Sequence, residues 1–567
     1  MRTQLETTAV MKRFLRSALL VAAGSAITLL VQRGLPTLGL ALYGTAFRTA
    51  YVDCQLAEAH AAALDNLLLE MALSQRLRKT EEIDRLSCLD YQRLRDRLQQ
   101  FKVSRVDLDL IETGIVGPFV GANLASHYRT GASQAALDQK LQKVVDLYGL
   151  RPLNIRRYEA DPEWKLGQAL FFDPVLSGNR DVSCATCHLL QYGLSDGLPR
   201  SIGANGEGLG VDRKLLKGTQ VHPRHSLDLW NRDNNAVSAF FWDGHVEVLH
   251  ARERRFRSPL GNALPTGFQN AMAVQAVFPI TIPDEMLGYF GEHSSSTLPT
   301  PHANKLNDLI VRSSYSSNIA RIQSVHKQLL KRLLARESIP EPWQQEYCAM
   351  FHGAYPQKRF RELSIVDLGN ALAHFEELAF ASADSAWDRY IGGDPNGISE
   401  QAKVGAIVFY GKGRCAACHS GPLFSDFQYH GAGIFSKIYV DGKYVNDLGR
   451  GGVTGNPSEN YRFRTSPLRN VTKFGPYFHD GSTTALSDAL VRHLEPFAKS
   501  GSYNPDGSFT IEKDQADSVS PILANGIKLT KNDIQSLVAF LGTLDAQSRS
   551  REQIIPLRVP SGIPISH

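Results

Sequence analysis

Hydrophobic and polar positions divide this 567-residue chain into segments of different period. Lys12, Arg13 and Arg16 precede an uncharged run from Ser17 to Val31. A membrane span takes about 20 apolar residues, so this run is short for one and long enough for the apolar core of an export signal. Gln32-Arg33-Gly34 interrupts it, and a second apolar run, Leu35 to Phe47, follows. No small-x-small cleavage site stands directly after the first run. Residues 1–47 therefore read as an uncleaved signal-anchor, with a cleaved signal peptide as the alternative. Basic residues before the run place the N-terminus in the cytoplasm and the bulk of the chain in the periplasm, attached to the inner membrane.

From residue 48 to about 145 the period changes to that of helices. Leu64, Leu67, Leu68 and Met71 fall at i, i+3, i+4 and i+7, and Leu94, Leu98 and Phe101 continue a stripe in a second segment. Further on, Gly167-Gln-Ala-Leu-Phe-Phe172 and Gly405-Ala-Ile-Val-Phe-Tyr410 share a pattern. Each reads as the end of an amphipathic helix entering a loop. Near the C-terminus Ile534, Leu537, Val538 and Leu541 form the apolar stripe of a helix from Thr530 to Leu544, opened by a Thr530/Asp533 capping box. Ser201-Ile-Gly-Ala-Asn-Gly-Glu-Gly208 is dense in turn signals. It lacks the Gly-Lys-Ser/Thr of a phosphate loop and reads as a covering loop. Residues 251–272 and 291–303 read as surface loops.

The chain is too long for one core, so two to four domains are expected. A net charge of +5 is small for this length and makes no case for nucleic acid as a partner. Four of the seven cysteines lie in two pentapeptides, Cys184-Ala-Thr-Cys187-His188 and Cys415-Ala-Ala-Cys418-His419. One Cys-x-x-Cys is commonly half a zinc site or a redox disulfide. Two copies, each with His following at once, fit covalent attachment of c-type haem: the thiols form thioethers and the imidazole ligates iron. A zinc site would take all four thiols and leave both histidines idle. Each pentapeptide follows one of the repeated helix ends, so the chain reads as two related units in tandem. Haem attachment of this type takes place outside the bacterial cytoplasm, which agrees with export. Cys54 and Cys88 then either form a disulfide between two helices or remain buried thiols.

The expected fold is mainly α: two tandem cytochrome c-like haem domains, 146–355 and 356–567, preceded by a helical domain at 48–145 and the hydrophobic anchor or signal at 1–47.

Several further segments carry a resemblance. They are Phe-Phe-Asp-Pro-Val-Leu-Ser (171–177), Phe-Trp-Asp-Gly (241–244), Glu285-Met286 and Trp387-Asp-Arg-Tyr-Ile-Gly-Gly-Asp394. Cys-His-Ser-Gly-Pro-Leu-Phe-Ser-Asp (418–426), Pro467-Leu-Arg-Asn470 and Pro476-Tyr-Phe-His-Asp-Gly481 complete them. With these the chain resembles the bacterial dihaem cytochrome c peroxidase family, which includes the MauG-like enzymes, over roughly residues 160–545. The resemblance implies an oxidoreductase that reduces H2O2 to water. It implies electrons from a small cytochrome or copper protein, entering at the C-terminal haem and used at the N-terminal one.

Residue by residue, the resemblance makes His188 the proximal ligand of the peroxidatic haem and His419 that of the electron-transfer haem. Glu285 matches the catalytic glutamate, which moves a proton between the peroxide oxygens if burial raises its pKa. Gln275 matches a distal glutamine, and Trp242 the tryptophan between the haems, as relay or as packing. Asn231 and the carbonyls of Phe474 and Pro476 match the ligands of a calcium ion, with Phe474 where threonine is usual. Arg224 matches a position near a haem propionate. No methionine follows Met350, so the second unit cannot supply one; the position that matches the family's sixth ligand of the second haem, fourteen after His479, is His493, with His430 in reserve. His479 is expected to position the surroundings of that haem. His222 and His225 lie where some relatives carry a resting sixth ligand of the first haem, and here they read as polar loop residues. A homodimer is left open. The alternatives are a MauG-like oxidation of a protein partner, kept alive by the non-methionine ligand, and a plain electron carrier.

Overall fold

The computed structural model describes residues 134–565, except 154–158, 205, 217–220, 289–306, 312–314, 337, 441–442, 498–501, 504–508, 525 and 547. The expected anchor, the stripes at Leu64–Met71 and Leu94–Phe101, Cys54, Cys88 and the loop at 291–303 lie outside the described residues. Among the described residues no helix is long and apolar enough to cross a membrane.

The main helices are α1 (Gln134–Leu147), α2 (Pro162–Phe172), α3 (Ala271–Gln275), α4 (Asn318–Leu334), α5 (Pro342–Ala354), α6 (Ile365–Ala379), α7 (Glu400–Tyr410), α8 (Leu486–Leu494) and α9 (Lys531–Gly542). Strands are short. The largest described sheet is an antiparallel β1-β2-β3 set at Ala239–Phe240, Val246–His250 and Arg255–Arg257. Its third strand lies within the stretch expected to be a surface loop at 251–272. Leu260 and Phe268 of that stretch are buried in the core, so the loop is pinned by its apolar residues.

Two helix crossings organise the chain, and both repeated hexapeptides lie in them. On α2, a Cβ at Gly167 would sit 1.9 Å from the Ala371 carbonyl oxygen and 2.7 Å from Phe375 Cβ of α6. On α7, a Cβ at Gly405 would sit 1.8 Å from the Ser536 carbonyl oxygen and 2.7 Å from Phe540 Cβ of α9. Glycine is required at both positions because the backbones meet there. Asp161 caps α2 by accepting from Trp164 N at 2.8 Å, and Ser399 caps α7 by accepting from Ala402 N at 3.2 Å. The Thr530/Asp533 capping box opens α9.

These crossings centre two apolar cores whose members interleave along the chain. The first joins α2, α3, α4 and α5 with α6 and the tail residues Ile554 and Val559. The second joins α7 and α9 with Leu141, Val144 and Val145 of α1. Core membership therefore crosses the expected boundaries at 145/146 and 355/356. The α1 helix is fixed to the second core by Lys403 Nζ, fully buried, on Asp138 Oδ1 at 2.6 Å. A buried ammonium is stable only when so paired.

Candidate functional site

Each crossing leads its first helix into a Cys-x-x-Cys-His turn at the wall of a cavity. In the first cavity the wall includes Cys184, Cys187 and His188; in the second it includes Cys415, Cys418 and His419. The two thiol pairs thus lie in different walls, and a single site of four thiolates on one zinc does not form. Burial raises the thiols of Cys184, Cys187 and Cys415, the last two to about 12. Such thiols are poor redox nucleophiles and fit thioether carbons well.

The histidines are oriented in the same way twice. His188 Nδ1–H donates to the Leu194 carbonyl at 2.9 Å, and His419 Nδ1–H donates to the Phe424 carbonyl at 3.0 Å. Leu194 and Phe424 both take the left-handed conformation, at φ 67° and 57°. The bond fixes the tautomer and leaves Nε2 for a metal. Burial lowers the pKa of both rings, His419 to about 4, which keeps the imidazoles in the neutral form that ligates iron.

Across the second cavity stands His493 of α8. Its Nδ1–H donates to the Ala489 carbonyl at 2.8 Å, which again leaves Nε2. The His419 and His493 ring centres are 6.4 Å apart. Two imidazoles on opposite sides of one metal, each nitrogen about 2.0 Å from it, place their ring centres about 6.3 Å apart. The spacing therefore fits one iron held between the two rings. His430, the reserve ligand, has Nε2 on Asp426 Oδ2 at 2.8 Å. With Cys418 this makes a thiol, carboxylate and imidazole grouping within 4.8 Å, but a thioether at Cys418 removes the thiolate that a metal would need.

The far side of the first cavity is built differently. Gln275 ends α3, and Glu285 lies in a π-helical turn over Pro283–Leu287, an uncommon geometry that recurs at functional sites. Both line the cavity with His188. Glu285 Oε1 is 2.9 Å from His222 Nε2. Burial acts to raise the Glu285 carboxyl, but the adjacent imidazole outweighs it and holds the pKa below the ordinary value. The expected burial-raised Glu285 is thus corrected by a neighbour far away in sequence. His222 and His225 both line the cavity instead of serving as polar loop residues. His225 Nδ1–H donates to the Leu198 carbonyl at 2.7 Å, and its buried Nε2 has no hydrogen-bond partner among the described residues.

Trp242 and Arg464 belong to the walls of both cavities. The Trp242 indole N–H donates to the His225 carbonyl at 2.8 Å, and its ring meets the edge of His479 at 6.4 Å. His479 stacks on Phe463 at 3.6 Å in the second cavity wall. Arg224 is not in either wall. Its guanidinium is held by Asp447 at 2.8 and 2.9 Å and by Asp243 at 2.6 Å. These carboxylates already satisfy the charge that was expected to meet a haem propionate. Arg464, by contrast, donates to the Phe241 and Thr465 carbonyls, and burial lowers its pKa to about 9. An exposed-anion ligand suits it better than it suits Arg224. Glu376 of α6 also lines the first cavity, and burial pushes its carboxyl up to about 8. Neither residue stood out in sequence; Arg464 lies three positions before the quoted Pro467 segment, which is the one signal available.

Asn231, an expected calcium ligand, pairs twice with the backbone of Ser382: its Oδ1 accepts from N at 2.8 Å and its Nδ2 donates to O at 2.9 Å. Phe474 and Pro476 line the second cavity.

Comparison with known proteins gives the chain's relatives. Residues 161–396 match the family described as di-haem cytochrome c peroxidase. The methylamine utilization protein MauG of Methylorubrum extorquens is 30% identical over 429 residues, which are 74% of this chain and 90% of the relative. The cytochrome c551 peroxidase of Pseudomonas aeruginosa is 28% identical over 419 residues, 73% of this chain and 86% of the relative. Among solved structures, a MauG-like protein associated with microbial copper homeostasis aligns at TM-score 0.46 and 20% identity, over 72% of this chain and 95% of that one.

Proposed function

Because the chain belongs to the di-haem cytochrome c peroxidase and MauG family, we propose that it is an exported peroxidase that reduces H2O2 to water with electrons from a small redox protein. The observation that carries this reading is the unequal furnishing of the two cavities. The first cavity holds, with His188, a carboxylate paired to His222, a carboxamide and the His225 imidazole, whereas the second sets one imidazole, His493, 6.4 Å from His419, ring centre to ring centre. The first centre leaves room for a small oxidant, and the second is closed to one. The haems, attached at Cys184/Cys187 and Cys415/Cys418, supply the electron storage that no side chain provides. Glu285 accepts a proton from one peroxide oxygen and returns it to the other. Gln275 hydrogen-bonds the bound peroxide and orients it. Trp242, in both walls, lies on the route between the centres. Arg464 neutralises acidic groups that reach between them.

Asn231 Oδ1 and the carbonyls of Phe474 and Pro476 are the oxygen donors we propose for a calcium ion, with water completing the shell; metal analysis after dialysis against a chelator tests this. The absence of a methionine after Met350 and the His419/His493 spacing favour a second reading, MauG-like oxidation of a protein partner.

The test is H2O2-dependent oxidation of a reduced c-type cytochrome by the haem-loaded protein. Sustained turnover that falls about 10²–10⁴-fold in Glu285→Gln supports the peroxidase. No turnover, with a long-lived oxidised spectrum after peroxide, moves the assignment to protein oxidation.

A further inference from the structure

The loop from Ser201 to Arg213 is fastened to both halves of the His222–Glu285 contact. Ala204 N donates to the Glu285 carbonyl at 2.7 Å, and His222 N donates to the Ser201 carbonyl at 2.8 Å. At Gly203 a Cβ would sit 2.2 Å from the Asp284 and Glu285 carbonyl oxygens, so the loop lies directly on the turn that carries the carboxylate. Arg213 holds the loop from the other side. Its guanidinium donates to the carbonyls of Ile202 at 2.6 Å, Gly203 at 2.7 Å and Gly208 at 2.8 Å. The imidazole is committed at both nitrogens: Nδ1 to the Arg224 carbonyl at 2.9 Å and Nε2 to Glu285 Oε1 at 2.9 Å. The Arg224 backbone N–H also reaches Nδ1, at 3.3 Å, so the Arg224 peptide holds the ring on one side, and on the other Nε2 and Glu285 Oε1 share one proton. The side chain is 22% exposed, which lets it exchange protons with solvent.

We propose that His222 is the proton-supplying partner of Glu285 and not a sixth ligand of the iron at the first centre. The inference deepens the peroxidase reading and rests on it for its substrate. Overall, H2O2, two electrons and two protons become two waters. Glu285 shifts a proton from one peroxide oxygen to the other, the O–O bond breaks and the first water leaves. The other oxygen takes two electrons, delivered by the small redox protein, and two protons. His222 Nε2–H passes one of these protons through Glu285 Oε1 and is replenished from solvent, and the other proton comes from solvent. Burial opposes the imidazolium, but Glu285 outweighs it and raises the pKa of His222. The other groups acting on the pair are Asp284 on the same turn, Arg224 on the His222 loop, and His188 and His245.

Two measurements on the haem-loaded protein decide this. The first is the spin state and cyanide binding of the fully oxidised protein. A high-spin first haem that takes up cyanide without prior reduction, unchanged in spin state in His222→Gln, supports the proposal. A low-spin first haem that becomes high-spin in His222→Gln overturns it, whether or not the protein turns over peroxide. The second is the pH profile of the peroxide reaction. Without His222, Glu285 loses the charge that holds its pKa down, so the acid limb moves to higher pH and the rate at neutral pH falls about tenfold or more. An unmoved acid limb overturns the proposal. The second haem's bis-imidazole spectrum reports that the variant is folded. If the variant fails to load haem, cyanide binding by His225→Gln, which removes the other imidazole of this cavity, decides: refusal of cyanide until one-electron reduction overturns the assignment, and uptake by the oxidised protein supports it.

Discussion

The two cavities are alike in everything that attaches a haem and unlike in what faces it. Each begins with a helix that meets its partner at a glycine, runs into Cys-x-x-Cys-His and fixes the histidine on the carbonyl of a left-handed residue. The partner helices also correspond. Ala371 and Phe375 of α6 stand where Ser536 and Phe540 of α9 stand. One position on, the correspondence breaks: Glu376 lines the first cavity and Leu541 the second. The far walls break it further, with Gln275 and the His222–Glu285 pair in one and His493 in the other. The scaffold therefore decides that a haem is held. On the proposed reading, a few side chains contributed from loops, from α3 and from α8 decide whether its iron meets a substrate or a second imidazole.

That difference can be broken from either side. The largest effect is expected from Glu285→Gln, with a fall in peroxide turnover of about 10²–10⁴-fold while reduction of the second haem by its donor is unchanged. Stopped-flow measurement of both steps separates them. A loss in both would mean that the cavities are not functionally distinct.

Next comes the carboxyl with no counterpart in the second cavity. Burial pushes Glu376 up to about 8 from the ordinary 4.5. Between those values the folded chain keeps a proton that the unfolded chain has lost, so stability falls as pH rises through that window. Glutamine stays neutral throughout. Glu376→Gln should match the wild type at pH 4 and be more stable by on the order of a few kcal/mol at pH 8. Thermal unfolding across that range checks it, and parallel curves would show that Glu376 is not a buried neutral acid.

His493→Met would make the second centre His/Met. A thioether favours ferrous iron, so the potential of that haem should rise by about 100 mV or more, with the first haem's potential little changed. Spectroelectrochemical titration reads both. An unmoved second potential would mean that His493 does not reach the iron.

How much of this was legible depends on whether the signal was local. The pentapeptides, the two hexapeptides and the Thr530/Asp533 cap are contiguous, and each describes its own stretch of structure. The extent of each core was not legible, because Ala371 and Phe375 of α6 meet Gly167 of α2 from far along the chain and α1 packs into the second core. No period in a single segment encodes which distant helix will cover it. The same holds for charge. Arg224 and Arg464 look equivalent as residues, and only folding shows that Asp243 and Asp447 occupy one and leave the other to the cavities. His222 acquires its meaning in the same way, from a loop that Arg213 folds back onto Glu285.

The likeness of the cavities has its own test, in the smallest of the expected effects. Gly167→Ala and Gly405→Ala each drive a methyl into a backbone carbonyl, at 1.9 and 1.8 Å. The helices must separate, which costs about 1–3 kcal/mol. Alanine's better helix propensity offsets about 1 kcal/mol of that at either site. If the crossings are two copies of one device, the two variants should lose similar stability. Each should also disturb its own haem first: Gly167→Ala should broaden the spectrum of the centre at His188, and Gly405→Ala that of the centre at His419. Thermal unfolding monitored at each haem's own absorption bands makes the distinction. Equal destabilisation with local spectral change would confirm that the repeat is carried by the crossing. A variant tolerated at one site and not at the other would place the shared structure in the pentapeptide turns alone, because only a crossing able to spread by about an ångström or more could accept the methyl.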